Sequence, residues 1–149
     1  MIKQFEPSQI DTVMKVWLKT TITAHSFIPE QYWIENYDIV RNEYMPMSTI
    51  FIYEEDDTIK AFISIIENTF VENPFIGALF VLKDYQVQGI GIKLIHYCKS
   101  LYSSLELGVY TENISGVNFY KHCGFIVKTK QPNEDSGFKE YTMTWTKQT

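Results

Sequence analysis

Two short stretches hold the residue types and spacings that could do chemistry. The first is Gln86-Val87-Gln88-Gly89-Ile90-Gly91. It follows the most continuously apolar run in the chain, Phe75 to Leu82, which predicts a buried strand. It leads into apolar residues at Ile90, Leu94, Ile95, Cys98, Leu101 and Tyr102, a helical spacing. Two glycines where a strand hands over to a helix let the first helical turn bring free backbone N–H groups close to an anion. The helix dipole adds partial positive charge at the same place. The chemistry this predicts is phosphate binding. The turn lacks the third glycine and the following acidic residue of a dinucleotide fingerprint, and it lacks the Gly-Lys-Ser/Thr of a P-loop. The second stretch is Asn113-Ile114-Ser115-Gly116-Val117-Asn118-Phe119-Tyr120-Lys121-His122-Cys123-Gly124-Phe125. Asn113 is placed to cap a short helix through Cys123, and Gly124 to end it in the left-handed conformation.

The elements that must position these stretches follow in order. Ile2 to Phe5 predicts a short strand. A helix opens at Pro7-Ser8, with Ser8 as N-cap and Asp11 in a capping-box position. Its apolar stripe is Ile10, Val13, Met14, Trp17 and Leu18. Thr20 to Ile28 is β-branched and polar and reads as a loop. Pro29 suits the first turn of a second helix, with Trp33, Tyr37, Val40 and Tyr44 on one face and Pro46 as its stop. Strands are expected over Thr49 to Tyr53 and Ile59 to Glu67, joined by the acidic tip Glu54-Glu55-Asp56-Asp57-Thr58, read as solvated carboxylates rather than as a metal site. The strand Phe75 to Leu82, the glycine turn and its helix come next. A strand over Leu105 to Tyr110, the Asn113 helix, and strands over Phe125 to Lys130 and Phe138 to Trp145 complete the order. That order, β-α-α-β-β-β-α-β-α-β-β, predicts one mixed α/β (α+β) domain over residues 1–149 around a central, mostly antiparallel sheet.

Composition narrows the function. The chain has 149 residues, 45% hydrophobic and 21% charged, the balance of a globular protein. Its 10 Phe, 10 Tyr and 3 Trp suggest a packed core and an aromatic-lined cleft. A formal net charge of −5 argues against nucleic acid as the main partner and suits a cationic substrate. Cys98 and Cys123 are the only two cysteines, with neither a disulfide framework nor metal-ligand spacing, and read as reduced thiols in helices. There is no apolar signal core, and no segment approaches the roughly 18 apolar residues of a membrane span. The expectation is a cytoplasmic protein with no membrane or metal partner.

Gln86-x-x-Gly89-x-Gly91 and Asn113 through Phe125 together resemble the two signatures of the GCN5-related N-acetyltransferase family, Gln/Arg-x-x-Gly-x-Gly/Ala and Asn-x-x-Ala-x-x-Phe-Tyr-x-x-x-Gly-Phe. Gly116 stands where alanine is usual. The element order extends the resemblance over essentially the whole chain. Ala24-His25-Ser26-Phe27-Ile28 and the aromatic helix after it are similar to a bacterial subgroup that includes candidate protein-lysine acetyltransferases. The resemblance implies acetyl-CoA as donor, a primary amine as acceptor, and direct attack in a ternary complex without an acyl-enzyme. It implies that the strand before the turn splays from its neighbour at a bulge near Gly77-Ala78. The backbone around Leu79, Phe80 and Val81 would then pair with the pantetheine arm, and an N–H there would polarise the thioester carbonyl. Gln86, Val87, Gln88, Gly89, Ile90 and Gly91 would hold the pyrophosphate, with Lys93 either adding charge or facing solvent. Asn113 would contact coenzyme A as well as cap its helix.

Tyr120 matches the family position from which a tyrosine hydroxyl reaches the CoA sulfur. A phenol suits a departing thiolate because their reference pKa values lie within about 2 units. For the base, Glu67 is the first candidate, acting directly or through water, and Glu72 the second; either is equally readable as a solvent-facing carboxylate. For the acceptor side the resemblance singles out Trp17, His25, Phe27 and Trp33. The two tryptophans lie on apolar stripes, so core packing is open to them too. His25 either steers or deprotonates the acceptor with a pKa near neutrality, or is a structural residue held by backbone. His96 and His122 read as surface or packing residues. The expected reaction is acetyl transfer to a small amine or a protein lysine, by a monomer or homodimer; a non-catalytic CoA- or acyl-CoA-binding module is the alternative.

Overall fold

A computed structural model describes residues 1–67 and 73–148. Its elements are β1 (Ile2–Gln4), α1 (Ile10–Ala24), α2 (Glu30–Ile39), β2 (Ser48–Glu55), β3 (Thr58–Ile66), β4 (Phe75–Val81), α3 (Ile90–Leu101), β5 (Ser104–Tyr110), α4 (Ile114–His122), β6 (Ile126–Pro132) and β7 (Lys139–Thr146). Among the described residues the strands form one seven-stranded sheet in the order β1-β2-β3-β4-β5-β7-β6. Every neighbouring pair is antiparallel except β4 and β5. Type and order of the elements agree with the sequence reading; several boundaries do not.

The period-2 alternation of the central strands sorts their side chains onto two faces. Ile50, Ile52 and Phe62 pack with Val13, Met14, Trp17 and Trp33 from α1 and α2. Phe51, Tyr53, Ala61, Ile63 and Ile65 pack on the other face with Ile90, Leu94, Ile95 and Cys98 of α3 and Val117 of α4. With both faces covered, β2 and β3 read as near-continuous apolar runs rather than as alternating ones.

The first helix starts and ends differently from expectation. A 3₁₀ turn over Pro7–Gln9 precedes it, and the Glu6 N–H donates to Gln9 Oε1 at 2.9 Å, so the cap lies at Glu6 and not at Ser8 with Asp11. Pro7, which has no N–H, suits the first position of such a turn. At the other end, Thr20 to Ala24 is helical instead of loop. The Thr20 hydroxyl donates to the Val16 carbonyl at 2.6 Å and the Thr23 hydroxyl to the Lys19 carbonyl at 3.0 Å, so these threonines bond within the helix instead of competing with it. Beyond α2, a π-helical turn over Val40–Tyr44 carries the chain to Pro46, and Tyr44 points outward.

The acidic tip is shorter than expected. Glu55 pairs with Thr58, leaving a two-residue turn of Asp56 and Asp57, both at positive φ (53° and 61°), the type I′ geometry that matches strand twist. Glu54 and Glu55 belong to the ladder and pair with Lys3 at 3.1 Å and Lys60 at 3.5 Å.

One irregularity organises the site. Ser64 pairs with Ala78 and Ile65 with Ile76, so Gly77 is an extra residue on β4, a bulge where one was expected. A Cβ at Gly77 would sit 3.1 Å from Ser64 Oγ and 3.2 Å from Ile66 Cδ1, a tight fit against two side-chain ends of β3. β4 pairs with β5 only through Phe75 and Ile76. Past Gly77 the two strands part, and a cavity opens between them.

Candidate active site

The cavity has a volume of about 740 Å³ and runs from the glycine turn to the C-terminal end of α1. The turn is shaped by backbone. Gln86 is extended, and its side-chain Nε2 donates to the Val81 carbonyl at 2.9 Å, folding the turn back on the end of β4. Val87 has φ +63° and Gly89 φ +80°, with α3 starting at Ile90. Left-handed residues within such a turn can aim neighbouring N–H groups to one side, a concavity for an anion. A β-branched residue at positive φ is a strained choice, and Val87 holds it fully exposed. At Gly91 the constraint is space, because a Cβ would come within 3.1 Å of the Phe119 ring of α4.

Leu79, Phe80, Val81, Gln86, Val87, Gly89, Ile90, Gly91, Asn113 and Tyr120 all border the cavity. Gln88 does not; it is exposed, and its amide reaches back to the Asp84 carbonyl at 3.4 Å. Lys93 does not either; it lies outside the wall with Nζ 5.7 Å from the centroid of the Tyr53 ring. Lys93 thus takes the solvent-side alternative, one helical turn beyond the wall-lining residues Gly89 to Ile92.

Asn113 caps α4, its Oδ1 accepting from the Gly116 N–H at 3.1 Å. A Cβ at Gly116 would stand 2.5 Å from Asn113 Nδ2, so glycine at this position makes room for the cap. Tyr120, further along α4, packs on Phe119 and Phe125 at 5.3 and 5.8 Å between centroids. Burial, followed by the nearby Cys123 thiol, pushes its pKa well above the ordinary phenol value. It is a proton-bearing hydroxyl at any working pH, and its gap to a thiolate is wider than reference values suggest.

The acceptor end is aromatic. His25 caps α1, its N–H donating to the Thr21 carbonyl at 3.0 Å while Nδ1 lies 3.2 Å from Thr21 Oγ1. Its ring sits 5.2 Å from both Trp33 and Tyr110, 5.9 Å from Phe27 and 6.4 Å from Phe80. Burial in this box pulls its pKa down to about 4, with the Thr21 hydrogen bond opposing only in part. The expectation of a near-neutral pKa is therefore overturned; His25 is uncharged at neutral pH and a weak base. Trp17 and Trp33, edge to face at 6.1 Å, belong to the core and border the cavity at once. The Trp33 indole N–H is buried with no acceptor among the described residues. Phe27 lies behind the wall, against Phe138 at 5.5 Å and Tyr110 at 5.7 Å. It completes the box around His25 and does not line the cavity.

Glu67 is exposed at the far end of β3, accepts a hydrogen bond from the Tyr102 hydroxyl at 3.1 Å, and is absent from the cavity wall. Antiparallel pairing sets the end of β3 beside the start of β4, opposite the glycine turn. Glu72 lies outside the described residues. A carboxylate the sequence reading missed, Glu140 of β7, does border the cavity. Its only signal was indirect: Gly108 in mid-strand, a residue that marks close approach of another group. Cys98 and Cys123 are buried free thiols. Burial raises both pKa values, that of Cys98 to about 12. His96 and His122 are exposed.

A bulged strand thus parts from its parallel neighbour beside a glycine-capped helix, the arrangement the family resemblance implied. The chain belongs to the GNAT family of N-acetyltransferases: the family model for the acetyltransferase (GNAT) domain matches residues 23–147. It is 29% identical over 145 residues to the peptidyl-lysine N-acetyltransferase YiaC of Escherichia coli, covering 97% of this chain and 96% of that protein. It is 24% identical over 137 residues to the peptidyl-lysine N-acetyltransferase YjaB of E. coli, covering 91% and 88%. The solution structure of apo YjaB from E. coli superposes with a TM-score of 0.81 at 21% identity, covering 99% and 98%. The PaiA N-acetyltransferase of Thermoplasma acidophilum, in complex with coenzyme A, superposes with a TM-score of 0.82 at 16% identity, covering 98% of each chain. Among the described residues no group of three or more His, Cys, Asp or Glu is placed to hold a metal ion, and no helix is long and apolar enough to cross a membrane.

Proposed function

We propose that this chain transfers the acetyl group of acetyl-CoA to the side-chain amine of a peptidyl lysine, by direct attack in a ternary complex. The observation that carries the reading is the parting of β4 from β5 at Gly77, which leaves one edge of β4 unpaired along a cavity between an anion-binding turn and an aromatic box. The pyrophosphate would rest on the turn, the pantetheine arm along Leu79 to Val81, and the thioester near Tyr120. YiaC and YjaB, both named peptidyl-lysine N-acetyltransferases, support the choice of acceptor, and the PaiA complex supports coenzyme A as the donor's carrier. Residues 1–149 are read as one catalytic domain working in the cytoplasm.

The proton inventory assigns the roles. An ammonium has a pKa near 10.4 and must lose one proton to water before its nitrogen can attack. The new C–N bond forms as the carbonyl oxygen takes up charge, stabilised by backbone N–H groups of β4. The C–S bond then breaks. The second nitrogen proton ends on sulfur, with the Tyr120 hydroxyl donating to the thiolate and being reprotonated in turn. The raised pKa keeps Tyr120 protonated, and so able to donate, until charge develops on the thiolate. Neither cysteine suits an acyl-enzyme, since burial keeps both thiols protonated.

The test is a thiol-release screen over amine classes that includes peptides with a single internal lysine, with mass spectrometry of the products. Acetylation of the lysine peptide supports the reading. Acetyl-CoA binding without thiol release to any amine, or release only with small amines, overturns it.

A further inference from the structure

The cavity wall is built almost entirely from uncharged groups. Among the described residues that border it, Glu140 is the one charged side chain. It stands on β7 opposite Tyr110 of β5, and its half-buried carboxylate lies over Gly108. A Cβ at Gly108 would come within 3.3 Å of Oε2 and 3.9 Å of Oε1. Glycine in mid-strand weakens a sheet, and here it opens the notch the carboxylate occupies. Asn133 Nδ2 donates to Oε2 at 3.2 Å and fixes the group from the β6–β7 turn. Among the described residues no donor reaches Oε1, and no lysine or arginine lies within ion-pair distance of either oxygen.

A carboxylate held in a mainly apolar wall without a cation is a costly arrangement unless a ligand completes it. The rings of Trp33, Phe80 and Tyr110 border the same end of the cavity, and faces of this kind attract alkylammonium groups. His25, beside them, adds no competing positive charge, because its burial keeps it neutral.

We propose that Glu140 is the anchor for the acceptor's ammonium, binding it through Oε1 and selecting cationic amines over neutral ones. The inference rests on the acetyltransferase reading and supplies the acceptor-side residue that reading lacks. It assigns Glu140 a binding role.

The test compares Glu140→Gln and Glu140→Asp with the wild type on a single-lysine peptide, measuring kcat and KM separately and acetyl-CoA affinity by calorimetry. In Glu140→Gln the side-chain amide oxygen can still accept from Asn133, so the fold survives; thermal melting checks this. The expected result for Glu140→Gln is a KM for the peptide about 10-fold higher or more, with kcat changed less than about 3-fold and the acetyl-CoA Kd unchanged. Glu140→Asp, which keeps the charge, should recover part of that loss. Unchanged KM in a folded Glu140→Gln overturns the inference and leaves acetyl transfer standing. A KM raised equally by Glu140→Asp and Glu140→Gln also overturns it, since it marks a packing role. A wild-type enzyme that acetylates no lysine peptide overturns the parent reading and this one with it.

Discussion

The two ends of the cavity are built from different materials. The donor end is backbone: the left-handed residues Val87 and Gly89, the first turn of α3, the freed edge of β4 and the cap of α4. Its parts come from contiguous stretches, and side chains matter there mainly by being absent. The acceptor end is made of side chains from the end of α1, from α2, β4, β5 and β7, brought together by the fold. It is laced across elements, with the Tyr32 hydroxyl donating to Asp135 at 2.5 Å and the Tyr110 hydroxyl to Ser136 at 3.1 Å. A donor shared by a whole enzyme family calls for generic backbone chemistry. An acceptor that differs from one enzyme to the next calls for variable side chains.

That contrast can be broken most forcefully at Tyr120, where the two ends meet. Tyr120→Phe should lower kcat about 10²-fold or more, the range of general-acid effects, with acetyl-CoA affinity within about twofold. An unchanged kcat would remove Tyr120 from the chemistry and leave it as packing.

The acceptor end should also carry the pH sensitivity of the fold. His25 binds its proton near pH 4 when folded and near 6.5 when unfolded, so between those values the unfolded chain holds more protons. Stability is then full above about pH 6.5 and falls by about 3 kcal/mol as the pH drops to 4. His25→Phe should flatten that part of the urea-unfolding profile between about pH 4.5 and 7. A profile equally steep in the variant would place the acid sensitivity elsewhere.

At the donor end the expected effects are smaller and positional. Asn113→Ala removes the side-chain acceptor of the Gly116 N–H at the start of α4. The expected cost is about 1 kcal/mol of stability, from the capping interaction, and an acetyl-CoA Kd several-fold higher. Calorimetry and thermal melting read the two separately, and a Kd unchanged despite a lower Tm would confine Asn113 to capping. Smallest of all is Cys123→Ala, which should leave turnover within about twofold, because a buried protonated thiol is no nucleophile. Loss of activity in a folded Cys123→Ala enzyme would reopen a covalent route.

The donor end was legible because its signals are local. A glycine that must take φ +80°, an asparagine that caps the helix it begins, and a glycine that ends that helix at φ +94° each act within a few residues of themselves. Strand and helix periods likewise depend on neighbours in the chain, so element order could be read while ends such as Thr20 to Ala24 could not. There, threonine hydroxyls bonding back along the helix outweighed their β-branched propensity.

The acceptor end depends on register, and register is a tertiary fact. Glu67 and Glu140 are both carboxylates near strand ends, with nothing in the sequence to rank one above the other. The antiparallel course of β3 takes Glu67 to the wrong end of the sheet, whereas pairing of β5 with β7 lays Glu140 over the space Gly108 leaves empty. The same holds for His25, whose titration follows from four rings contributed by three other elements and its own loop. Local backbone conformation belongs to the sequence because short-range sterics decide it. Which charges meet, and how dry their meeting place is, belongs to the fold, because only long-range packing can exclude the water.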